Sequence, residues 1–187
     1  MFGTVLLAVL VAAQAPVQPP PDAADESLAA LMRFGREVEE AARTLNAPGR
    51  IVLARTNADL KGDPEMPAAI AKIPDGDPLR ERGMFIIYVK IAYLNDHPEG
   101  AFRHDAAHEV CHAVLGHLDD PESGDEDRDE WEAEHCAYAY MGEDAFIAFM
   151  REEAKRKEEY RLFADMDERT FRNLIRTWLG YEPLPEE

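Results

Sequence analysis

Residues Phe102 to His117 read FRHDAAHEVCHAVLGH, and at their centre stands His108-Glu109-Val110-Cys111-His112, an HExxH pattern. On a helix, positions four apart lie one turn apart on one face. Both imidazoles then reach one metal ion, with Glu109 beside them as a base. Zinc suits such a set: imidazole and carboxylate ligands, tetrahedral geometry, one position left to water in a catalytic site. By chance alone the pattern turns up in a chain of this composition roughly 2 times in 100, so it needs support elsewhere. That support is Glu130-Trp131-Glu132-Ala133-Glu134. Two imidazoles do not close a catalytic zinc site, and glutamate is a standard third ligand. Glu130 lies 18 residues after His112, room for a turn and a returning antiparallel helix. Glu134, one turn later on the same face, can accept the free N–H of a ligating histidine and fix its tautomer.

Two helices must therefore be positioned. The first is compatible with Ala106, Ala107, Val110, Ala113, Val114 and Leu115, and Gly116 offers its stop. The second runs from Glu130 to Met141, packs through Ala133, Ala137 and Tyr140 or Met141, and breaks at Gly142. Upstream, Ser27 to Leu45 carries Leu28, Leu31, Phe34, Val38, Ala41 and Leu45 at helical spacing, one core-facing stripe. Arg50 to Arg55 is a short strand candidate. Asp59 to Glu81 is dense in Pro, Gly and Asp and reads as a long loop, with Ala68 to Lys72 as one helical turn inside it. Gly83 to Leu94 is the strongest strand signal, rich in Ile, Val, Phe and Tyr, with a bend or break near Lys90. Downstream, a helix over Asp144 to Arg161 precedes a last helix. Asp167 caps this last helix, and Phe171, Leu174, Ile175, Trp178 and Leu179 keep core spacing along it.

The remaining chemistry-bearing residues have blander readings. His104 stands one turn before His108, but a third ligand from the same straight helix is poor geometry, since the outer pair is about 12 Å apart. It is expected in the cleft or on the surface. His117 reads as a residue favoured by the helix C-terminus. Asp119 to Asp129 is an acidic run. Asp125, Asp127 and Asp129 alternate as in calcium loops, but the sixth-position Gly and final Glu are missing, so a solvated charge run is the default. Cys111 and Cys136 either form a disulfide pinning the two metal-bearing helices or are two buried small hydrophobes.

HEVCHAVLGH followed by EWEAEHCAYAYMG resembles the gluzincin metallopeptidases, in which HExxH is followed by Glu-x-x-x-Asp on the next helix. Within them it is most similar to the ImmA/IrrE-like group, whose pattern is HExxHxxxxH and then E-x-E-A-(Asp/Asn). The likeness covers Phe102 to Met141. It implies zinc on His108, His112 and Glu130, with Glu109 as general base. It also implies that part of Gly83 to Leu94 is an edge strand holding a peptide substrate by backbone pairing. Position 134 is Glu where the group usually has Asp or Asn, and Cys136 and Tyr138 stand where it tends to have apolar residues.

The chain has 187 residues and a net charge of −18. That charge argues against nucleic acid and anionic membrane surfaces as partners. Met1 to Ala15 reads as a signal peptide with an Ala-Gln-Ala cleavage pattern. Its apolar run is too short for a stable membrane anchor. Residues 16–25 form a Pro-rich linker, 26–182 the domain and 183–187 a tail. The expected fold is α+β and zincin-like: an N-terminal helix, a small sheet of about three strands, the HExxH helix and a helical C-terminal half. The expected activity is that of an exported, zinc-dependent peptidase acting on peptide or protein substrates. The donor for the reaction's oxyanion is open among Tyr138, His135 and Tyr93. The alternative is an exported protein that holds metal or binds a partner on the same scaffold without turnover.

Overall fold

A computed structural model describes residues 21–61, 66–73, 77, 83–96, 99–119 and 126–185. Residues 1–15, read as a signal peptide, lie outside them. Seven α-helices and a three-stranded mixed sheet are present among the described residues: α1 (Pro21–Thr44), β1 (Arg50–Thr56), β2 (Ala68–Lys72), β3 (Met84–Lys90), α2 (Ile91–Asp96), α3 (Glu99–Leu115), α4 (Glu126–Met141), α5 (Glu143–Arg156), α6 (Arg161–Ala164) and α7 (Glu168–Trp178). The α+β expectation holds. The chain divides into two compact units, the first ending at Tyr140 and the second beginning at Met141, whereas the expected domain over 26–182 spans both. No described helix is long and apolar enough to cross a membrane.

In the first unit the strand order is β1-β3-β2. β1 runs parallel to β3 with Leu53 opposite Ile87, and β2 runs antiparallel to it with Ile70 opposite Ile87. Side chains alternate between two faces, the period of a pleated strand. Ile51, Leu53, Ala68, Ile70, Ile87 and Val89 join Leu31, Phe34 and Val38 of α1 and Phe102, Ala106, Ala107 and Val110 of α3 in the main core. Val52, Ala54, Met84 and Ile86 form a smaller cluster on the other face, with Ala71 and Tyr88 against it. Gly49 is obligatory where β1 begins. A Cβ there would overlap the Gly83 carbonyl oxygen, which accepts the Arg50 N–H at 3.1 Å.

Several expected boundaries move. α1 opens at Pro21, a residue pre-set for a first helical turn, so the end of the expected linker is helical. Ala68–Lys72 is a strand and not a helical turn. Alanine favours helix locally, but the segment's backbone pairs with Phe85–Val89 and Ile70 is buried in the core. β3 ends at Lys90, where the break was expected, and α2 follows. β3 is central in the sheet, so Gly83–Leu94 supplies no edge strand; β1 and β2 flank it. α4 begins at Glu126, inside the expected acidic loop; Glu126, Asp127 and Asp129 in its first turn complement the helix dipole.

The second unit packs Phe146 and Ile147 of α5, Phe171 and Ile175 of α7 and Leu179 just beyond it into buried positions. The expected helix to Arg161 ends at Arg156, where Lys157 turns to extended backbone. Asp167 caps α7 as expected, accepting the Thr170 N–H at 2.9 Å.

Candidate metal centre

α3 and α4 run antiparallel, as the pairing of their side chains shows. His104 and His108 meet Glu134, His108 and His112 meet Glu130, and His117 just beyond α3 meets Glu132. The seam follows from i, i+4 spacing on both helices. His108 Nε2 and His112 Nε2 lie 3.2 Å apart. Glu130 Oε2 is 3.0 Å from the first and 3.6 Å from the second. Donors about 2.0–2.1 Å from a tetrahedral centre stand about 3.3 Å apart, so the three atoms match one face of such a tetrahedron. Two imidazole Nε2 atoms facing each other beside a carboxylate form a donor set that could hold a metal ion.

The electrostatics agree. Burial opposes a charge on the His108 ring, yet hydrogen bonds to Glu130 and Glu134 outweigh it and lift its pKa to about 10. Glu130 is held far below the usual carboxylate range by hydrogen bonds to His108 and His112. Without a cation, a proton on the His108 ring balances these carboxylates. Burial raises Glu134, but hydrogen bonds to His104 and His108 win and bring it to about 2.

Each of these two histidines has its other nitrogen held, an arrangement of the kind that fixes ring orientation. His108 Nδ1 is 2.9 Å from Glu134 Oε2. His112 Nδ1 is 3.0 Å from His117 Nδ1, and His117 Nε2 is 3.1 Å from Glu132 Oε2. With a cation on His112 Nε2, the hydrogen sits on His112 Nδ1 and donates to His117 Nδ1. The His117 hydrogen must then be on Nε2, facing Glu132. His117 is therefore part of the centre, which the reading from helix-end preference missed. Gly116 brings it there. Its φ of +82° lets the His117 N–H return to the His112 carbonyl at 3.1 Å, a Schellman closure. His117, Asp129 and Glu132 also form a donor cluster. Arg128 already lies 3.2 Å from Asp129 and 3.8 Å from Glu132, and the His117 Nε2 hydrogen closes that nitrogen to a second cation.

Glu109 is buried, and burial raises its pKa. Its Oε2 accepts the Ile70 N–H of β2 at 2.6 Å. The Lys90 N–H bonds to the Pro67 carbonyl at 2.9 Å. By the alternation of an antiparallel ladder, the N–H and C=O of Ala68, Ile70 and Lys72 then point away from β3, toward an edge that no other strand lines among the described residues. Glu109 meets the sheet at that edge. Lys61, at φ +49°, places its ammonium 3.2 Å from Glu130 Oε1 and 3.4 Å from Glu126 Oε1. Burial lowers the Lys61 pKa, but the Glu130 carboxylate outweighs it and the net shift is upward. Nothing in the sequence pattern marked Lys61.

The other expected residues are placed as follows. Cys111 and Cys136 are bonded, Cα to Cα 6.0 Å, and join α3 to α4 beside the ligands. His104 is buried rather than in a cleft or on the surface, bonded to Asp105 and Glu134. Tyr93 is buried in the core, and its hydroxyl donates to Asp105. His135 and Tyr138 have ring centroids 6.5 Å apart, and His135 lies 5.0 Å from Trp131. His135 belongs to none of the donor clusters among the described residues. Asp127 and Asp129 are two apart on α4, on opposite sides of a helix, so the alternating calcium pattern is broken. Family models, curated proteins and solved structures were all compared with the chain, and none matched.

Proposed function

We propose that the chain is a zinc-dependent peptidase with a zincin-like arrangement. The carrying observation is the convergence of His108 Nε2, His112 Nε2 and Glu130 Oε2, with Glu109 on the same helix facing the free edge of β2. A zinc ion at that point supplies Lewis acidity toward a carbonyl oxygen and a water molecule. The chain supplies the rest. Outward N–H and C=O groups of Ala68 and Lys72 and the Ile70 C=O pair with an extended peptide as an added strand, and the Ile70 N–H joins them once it leaves Glu109. Glu109, with a raised pKa, takes a proton from the attacking water and delivers it to the leaving amine. Glu134 and His117 hold the two imidazoles in place. The Cys111–Cys136 bond fits an oxidising compartment and agrees with the export suggested by residues 1–15.

The test measures zinc content and cleavage of a peptide library with and without chelator. Wild type should carry one zinc per chain, and His112→Ala and Glu130→Ala should lose it. Glu109→Gln should keep zinc and lose at least about 10²-fold in turnover. One equivalent of zinc retained in both ligand variants would remove the assignment. Zinc retained in wild type with no cleavage of any peptide would favour the second reading, a metal-holding protein without turnover. The hydrogen bond that ties Glu109 to Ile70 is the feature that favours that reading.

A further inference from the structure

We propose that His104 is a positioning residue of the metal centre, gripping Glu134 so that Glu134 in turn fixes His108. The proposal rests on reading His108, His112 and Glu130 as the cation site, and it adds a residue that this reading does not use.

The geometry is a continuous chain of contacts. His104 Nε2 lies 3.0 Å from Glu134 Oε1 and 3.1 Å from Oε2. The same Oε2 is 2.9 Å from His108 Nδ1. On its other side His104 Nδ1 is 2.8 Å from Asp105 Oδ1, and the second Asp105 oxygen accepts the Tyr93 hydroxyl. Tyr93 packs at ring-centroid distances of 6.4 Å from Phe34 and 5.4 Å from Phe102. The chain therefore starts in the core at α2, crosses α3 and ends on the imidazole that faces the other ligands.

Carboxylates only accept hydrogen bonds, so a ring between two of them brings a hydrogen on each nitrogen. His104 is then an imidazolium flanked by Asp105 and Glu134. This arrangement answers an energetic problem. The Glu134 side chain is only 13 % exposed, and a carboxylate removed from water is costly unless paired and hydrogen-bonded. Without His104, Glu134 would be free to swing toward solvent, which loosens the acceptor that orients His108. His104 thus keeps Glu134 aimed, with its two oxygens shared between two rings.

Zinc affinity, measured by chelator competition on the full chain, tests this. His104→Ala should weaken zinc binding about 10- to 100-fold, the size typical of lost support behind a ligating histidine. His104→Gln keeps a donor toward Glu134 and should recover part of the loss. Cobalt(II) loading gives a second readout: the visible absorption of the four-coordinate ion should change in His104→Ala. In the metal-free wild type, nitrogen NMR at pH 7 should show hydrogens on both nitrogens of His104. If His104→Ala does not fold, Tyr93→Phe carries the test, because it keeps the packed ring and removes only the hydroxyl that anchors Asp105. It should weaken zinc several-fold. Wild-type affinity in the folded variants, or an unprotonated nitrogen on His104, would overturn the proposal alone. Failure of wild type to bind zinc would overturn the cation reading and this proposal with it.

Discussion

On the proposed reading, a cation and a proton compete for the same nitrogens at this centre. In the metal-free site His108 has a pKa of about 10, because Glu130 and Glu134 outweigh the cost of its burial. At pH 7 its ring is therefore protonated, and an incoming zinc must displace that hydrogen. Zinc titrated into weakly buffered protein should release about one proton per ion bound. Apparent affinity should climb about tenfold per pH unit for each displaced proton as pH rises toward 10, and fall on acidification. An affinity flat between pH 6 and pH 8 would contradict this. At this scale the residues legible in the sequence were those fixed by local periodicity. His108, Glu109 and His112 share one helix, and Glu130 and Glu134 repeat on the next. Lys61 was hidden because its contact with Glu130 crosses 69 positions of chain. His104 was visible as a helical neighbour, but its burial and its two carboxylate partners come from tertiary packing.

The elements that carry the centre are held by two features of α3 and α4. Gly116 ends α3 in the left-handed region, and a Cβ there would meet only Asp119 Oδ2 at 3.6 Å. Gly116→Ala is therefore strained by conformation and not by crowding, at a cost of about 1 kcal/mol. Because the same turn delivers His117 to His112, the variant should also weaken zinc binding, readable by chelator competition beside a thermal melt. The disulfide is the other feature. Closing a segment of 25 residues constrains the unfolded chain by about 3.5 kcal/mol. Replacing Cys111 and Cys136 together by Ser should lower unfolding free energy by that order and reduce zinc affinity, since Glu130 reaches the site from α4 alone. Denaturant melts with and without reductant check the first part. Among the elements, the sequence marked α3, α4, α7 and β1 by pattern and end signals. β2 was missed because Ala68-Ala69-Ile70-Ala71-Lys72 has no alternation and good helix formers. Its strand identity comes from β3, many residues further along.

The molecule as a whole is strongly acidic, at −18 over 187 residues. Such self-repulsion opposes the compact state and is screened by salt. Raising KCl from about 10 mM to about 0.5 M should raise the thermal midpoint by a few degrees, and an unchanged midpoint would mean the charges are already spaced or paired well enough. Some are paired: Arg172 lies 2.8 Å from both Glu143 and Asp144 and 3.1 Å from Glu168. The α+β class was legible from strand-rich and helix-rich stretches. The division after Tyr140 was not, because α4 runs unbroken to Met141 and the composition does not change there.

The amide hydrogen of Ile70 has a single place to go. While it holds Glu109, that rung of the open rim is closed. On the proposed peptidase reading, an extended guest lying along Ala68–Lys72 has to take it over, and doing so frees the Glu109 carboxylate. Seating the guest and arming the base would then be one event, a coupling that an ester too short to touch the rim would not trigger.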